Sequence, residues 1–245
     1  MKHLLSWILI SLSLGWSLSP RVSHATSESE FQGAQLNLQT YLIQLSLQDR
    51  ALIRRTSSRN RNSLSPRLRN KFDERRSLKS QLVYWQNVVS LKKSLLELPS
   101  LDGPTVQPSP ERIQEAELIA VTAIDAFGEL KEKYKIGNSA LLHNLAINMG
   151  LKKEGFCWHW TRDLRRRLKS LELKTFDLHW VSAREATILE HNTVVLVPKG
   201  QPFTKGLLLD GWRKAGKPFW MKVADDEKHP WKPSVCSSCE VQASS

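Results

Sequence analysis

Cys157, His191 and Asp210 are the residues of this 245-residue chain whose types and order fit covalent chemistry on a carbonyl. They stand 34 (191 minus 157) and 19 (210 minus 191) residues apart. A thiol attacks as its thiolate and is mostly protonated at neutral pH, so it needs a neighbouring base or a lowered pKa. A histidine supplies the base, and an aspartate holds the imidazole in the working tautomer. Position supplies the rest. Gly155-Phe156-Cys157-Trp158-His159-Trp160 opens an apolar-striped helix. A thiolate there meets free backbone N–H groups and the positive end of the helix dipole. The same N–H groups suit an oxyanion.

The elements that must hold the other two are strands. Period-two alternation runs through Phe176, Leu178 and Trp180, and further strands are expected over Ile188–Val197, Leu207–Trp212 and Phe219–Val223. His191 begins one apolar run, and Asp210 closes the Leu207-Leu208-Leu209 run, where an acid wants a partner. The chain holds seven histidines. His3 and His24 belong to the first 25 residues, His143 to a helix and His229 to the tail. His159 is two residues from Cys157, which on a helix points it away. His179, on a strand face opposite Phe176 and Leu178, competes with His191.

Upstream, apolar residues at helical spacing from Phe31 predict one helix to about Arg55, a polar loop over Thr56–Ser63, and a second helix opened by Ser65-Pro66. The pair is expected to pack as an antiparallel hairpin over 26–98. Residues 99–108 carry Pro99, Gly103, Pro104 and Pro108 and read as a linker. Ser109-Pro110 starts a third helix. Asn138 is expected to cap a fourth, with Leu141, Leu142, Leu145 and Met149 as its apolar face. Residues 109–224 form the domain bearing the three candidates, and 225–245 an irregular tail. The fold class is therefore α+β, with helices packed on a small antiparallel sheet.

The first 25 residues have the pattern of a secretory signal. Lys2 leads an uncharged run from Leu4 to Leu18, followed by Pro20 and the small residues of Ser23-His24-Ala25. The run is shorter than the roughly 20 residues that span a bilayer. The mature protein is thus expected to be exported, periplasmic or secreted. Of three cysteines, Cys236 and Cys239 form a C-x-x-C suited to a tail disulfide in an oxidising compartment, leaving Cys157 alone. Neither a Rossmann fingerprint nor a P-loop is present, and no cofactor or metal is expected.

Formal net charge is +12. Removing residues 1–25 takes away Lys2 and Arg21, leaving +10. Residues 50–79 hold 11 Lys and Arg against Asp73 and Glu74, a net of +9, so the excess is one local patch. It suits contact with an anionic envelope or membrane surface. Nucleic acid is not expected, because no aromatic residue interleaves the arginines between Ala51 and Asn70.

The stretch from about 138 to 223 resembles the transglutaminase-like branch of the papain-like cysteine enzymes. The likeness is carried by Gly155-Phe156-Cys157-Trp158, then His191-Asn192-Thr193-Val194, then Asp210-Gly211-Trp212. It implies Cys157 as nucleophile, His191 as general base and acid, and Asp210 as the residue orienting the histidine. Asn-Thr after His191, and Gly after Asp210, depart from the family pattern. Asn144 is a candidate side-chain oxyanion donor, and Trp158 and Trp212 are candidate walls of the substrate cleft. The resemblance implies an exported peptidase, amidase or acyltransferase working on a protein, peptide or cell-envelope amide. The alternative is a binding module with the same fold and no catalysis.

Overall fold

The computed structural model describes residues 26–99, 101 and 107–234. The expected leader, most of the expected linker, and Cys236 with Cys239 lie outside the described residues. Ser27–Gln44 form α1, Leu47–Arg55 α2, Pro66–Leu96 α3, Pro110–Tyr134 α4, Ala140–Asn148 α5 and Cys157–Lys169 α6. The strands are β1 (Phe176–Ala183), β2 (His191–Pro198), β3 (Leu207–Leu209), β4 (Trp220–Lys222) and β5 (Lys232–Pro233). They make one antiparallel sheet in the order β4-β3-β2-β1-β5. The class is α+β.

Where boundaries differ from expectation, a cap explains the shift. The first helix breaks in two because Leu45 turns extended and the Ser46 hydroxyl accepts from Asp49 N at 3.1 Å, starting α2. Ser139, not Asn138, caps α5 by accepting from Leu142 N. The polar loop after α2 winds into a 3-10 turn over Ser58–Ser63. Ile188 and Leu189 were expected in a strand but are exposed in the loop before β2. The segment after 224 is ordered enough to give β5 and to bury Trp231.

α1 and α3 pack antiparallel: Tyr41 OH donates to Lys71 O at 2.5 Å near one end, and Lys92 Nζ meets Glu28 at 2.9 Å near the other. Lys92 also pairs with Glu117 of α4 at 2.6 Å, and Glu117 accepts from Ser27 N and Oγ. Three apolar clusters result. The hairpin tip holds Tyr41, Leu45, Ile53 and Phe72. The main core joins Val88, Leu91 and Leu95 of α3 to α4, α6 and one face of the sheet, through Val194, Leu196, Leu207 and Leu209. The opposite face of the sheet, through Val181, Ala183, Val195 and Leu208, packs on Val223 and Trp231. Alternation in β2 and β3 thus sends even residues of β2 to the helix layer and odd ones to the other side. Burying each of these leucines stabilises the fold by about 2 kcal/mol.

Candidate active site

Cys157 is the first residue of α6 and is 5% exposed. What places it there is a clip of three elements. Gly155, at φ +115°, crosses so close to α5 that a Cβ would lie 2.2 Å from His143 Nε2. His143 Nε2 itself bonds the Glu154 carbonyl at 2.9 Å, and Gly155 N donates to His159 Nδ1 at 3.4 Å. Burial, with Arg162 nearby, pushes His159 down to about 4, so it stays neutral and can accept that bond. Thr161 Oγ1 bonds the Cys157 carbonyl at 3.0 Å. His143 and His159 therefore build the turn that presents the thiol.

The three residues separated in sequence come together. His191 Nε2 and Asp210 Oδ2 are 2.6 Å apart, both buried. Burial works against charge on His191, but Asp210 and then Cys157 outweigh it and push the imidazole up to about 9. The other ring nitrogen, Nδ1, is buried without a hydrogen-bond partner. The Cys157 sulfur lies against the start of β2, 3.7 Å from the Glu190 carbonyl and 3.9 Å from Asn192 Nδ2. His179, the competing histidine, sits in mid-β1 opposite Val195.

Asp210 is held twice more. Arg213 donates to it from its backbone N at 2.9 Å and from Nε at 2.8 Å. Burial disfavours the carboxylate, yet His191 and Arg213 together keep its pKa below the ordinary value. Arg213 Nη2 continues to Asp226 at 2.8 Å, which also meets His229 Nδ1 at 2.9 Å and accepts from Trp231 Nε1 at 3.2 Å. The rings of Trp212, His229 and Trp231 surround His191 with centroids 4.9, 5.4 and 5.5 Å away. Arg213, Asp226 and Trp231 escaped the sequence reading, and His229 was set aside with the tail, because neither the loop after Asp210 nor the tail carries periodicity. The signal in the tail was a Trp two residues after a His in a polar stretch.

Asn192 was missed as a donor. Its Oδ1 accepts from Trp180 Nε1 at 2.8 Å and its Nδ2 donates to Glu190 Oε1 at 2.9 Å, which turns the amide N–H edge toward the sulfur. The signal was available: Asn192 shares the face of Val194 and Leu196, which pack on the helix layer bearing Cys157. Asn144, the earlier candidate, lies on α5, and its Oδ1 has no hydrogen-bond partner. Trp158 stacks on His159 at 3.6 Å with Arg162 over it. Trp212 walls a cleft of about 580 Å³ that neither Cys157, His191 nor Asp210 lines.

Among the described residues no cluster of His, Cys, Asp and Glu could hold a metal, and no helix is long and apolar enough to cross a membrane. No family model, curated protein or solved structure matches the chain.

Proposed function

We propose that this protein is an exported thiol enzyme of transglutaminase-like fold that opens an amide bond through Cys157, His191 and Asp210. The observation that carries the reading is a buried His191–Asp210 pair, its other ring nitrogen without a hydrogen-bond partner, close enough to the Cys157 thiol at a helix start for that thiol to favour charge on the imidazole. The Cys157 thiolate attacks the amide carbonyl carbon, and the carbonyl π electrons move to oxygen. Asn192 Nδ2 and the first N–H groups of α6 stabilise that oxyanion. The His191 imidazolium gives its proton to the leaving nitrogen, the C–N bond breaks, and a thioester remains. Water or an amine then attacks the thioester, loses its proton to His191 and releases the sulfur. Asp210 holds the imidazole throughout, and Arg213 holds Asp210. Because the sulfur contacts the Glu190 carbonyl, an entering substrate first meets the loop 184–190.

The partner is an amide of protein, peptide or cell-envelope material, with the basic hairpin tip contacting an anionic envelope surface. In the tip, Arg61 pairs with Asp73 and Lys71 with Asp49, while Arg54, Arg55 and Arg59 form no ion pair with any described residue.

Alkylation of Cys157 by iodoacetamide against pH, with Cys236 and Cys239 replaced, tests the reading. Fast alkylation well below the ordinary thiol pKa of about 8.5, slowed by His191→Ala, is expected. An ordinary thiol profile indifferent to His191 removes the enzyme and leaves a binding module.

A further inference from the structure

α5 is amphipathic in the wrong sense for a helix that packs by its apolar side. Its buried residues are Ala140 and His143. Leu141, Leu142, Leu145 and Met149 fall within about 100° of one another around the helix. They are 71%, 68%, 53% and 64% exposed, and Leu151 just beyond is 73% exposed. Isolated exposed leucines need no explanation, but a contiguous apolar helix face does.

A second observation adjoins it. The cleft of about 580 Å³ opens at the N-terminus of α5, with Leu141 in its wall, and is lined by Lys131, Lys214 and Lys217 but by no carboxylate. None of these lysines forms a salt bridge with a described residue. Arg213 also faces the cleft, but its charge is taken up by Asp210 and Asp226. Lys152 and Lys153 stand at the other end of α5.

We propose that the outer face of α5 and this cleft form a docking face for an anionic lipid surface. The leucines enter the acyl boundary, and a lipid phosphate sits among Lys131, Lys214 and Lys217. Side chains that stand proud suit a fluid apolar surface, whereas a peptide site would enclose them in a groove. The flanking lysines supply the charge complement to anionic headgroups. Trp212 walls the cleft and packs tilted against the His191 ring, so docking would place the lipid surface next to the residue that backs His191. The inference stands on α5 and the cleft, not on the thiol reading, and Cys157→Ala should bind as the unaltered chain does.

Co-sedimentation of the full chain with phosphatidylcholine vesicles, with and without phosphatidylglycerol, tests it. Binding is expected only with phosphatidylglycerol. It should weaken at least about tenfold in Leu141→Gln/Leu145→Gln and in Lys214→Gln/Lys217→Gln, which alter exposed side chains only. Arg54→Gln/Arg55→Gln/Arg59→Gln in the hairpin should retain the α5-dependent part. Binding that survives both α5-side variants, or that the hairpin triple variant abolishes outright, overturns the proposal. So does a dimer in sedimentation velocity that Leu141→Gln/Leu145→Gln dissolves, since a second copy would then cover the face.

Discussion

At the residue scale the proposal makes His191 a cation at neutral pH, held by two partners of unequal strength. Asp210 stands ahead of Cys157 among the groups that raise its pKa to about 9. Titration of the His191 ring by NMR should therefore show a fall in Cys157→Ala and a larger fall in Asp210→Asn. Equal shifts, or none in Asp210→Asn, would break the assignment. The sign for stability follows. An unfolded histidine titrates at 6.5 and the folded one higher, so the contribution of the pair is complete below 6.5 and is lost as pH rises through about 9. In Cys157→Ala, where no thiol offsets the histidine proton, urea unfolding should lose up to about 1.4 kcal/mol per pH unit above 6.5, and Asp210→Asn in that background should flatten the slope. Asn192 carries a different prediction. If its amide serves the oxyanion, Asn192→Ala should lower kcat about 100-fold or more on an amide substrate, with KM little changed. Iodoacetamide alkylation, which develops no oxyanion, should stay within a few fold. A loss in both assays would make Asn192 a support for the thiol instead. The sequence carried the types and order of Cys157, His191 and Asp210. Arg213 and Asp226 were hidden because their role is to neutralise buried charge, which no periodicity records.

At the element scale the decisive piece is the turn into α6. Gly155 is required twice, by its φ of +115° and by the approach of His143. Gly155→Ala should cost about 2 kcal/mol or more in urea unfolding and slow alkylation of Cys157. His143→Ala should not rescue it, because the backbone angle remains. A Gly155→Ala protein as stable and as reactive as the parent would show that the clip does not set the thiol. The G-x-C spacing was legible in the sequence, and so was the switch from helical to alternating periodicity near 176. What pattern could not show was orientation. The apolar face of α5 reads as core by periodicity, yet it faces outward because Ala140 and His143 pack instead. The same limit applies to Ile188 and Leu189, apolar residues that lead into β2 but lie in an exposed loop.

At the scale of the whole molecule, the long α3 belongs to two bodies of packing. Its second half contributes Val88, Leu91 and Leu95 to the core shared with α4, α6 and the sheet. Its first half contributes Phe72 to the small cluster at the hairpin tip with Tyr41, Leu45 and Ile53. Lys92, buried and paired with Glu28 and Glu117, ties α1 and α3 to α4 at the end near the main core. The basic tip therefore hangs on a stalk continuous with the core under the thiol, while its own few apolar contacts give it little independent stability. Native-state hydrogen exchange should separate the two. Amides in the second half of α3 should exchange with those of α4 and α6, through global unfolding. Amides in α2 and the first turns of α3 should exchange earlier, by local opening. Leu91→Ala should cost about 2–5 kcal/mol and lower protection across α4 and α6. Phe72→Ala should open only the tip and leave Cys157 alkylation unchanged. If Phe72→Ala instead lowered protection in α6 as much as Leu91→Ala does, tip and core would be one cooperative unit. Contact at the arginines would then reach the thiol through the length of α3.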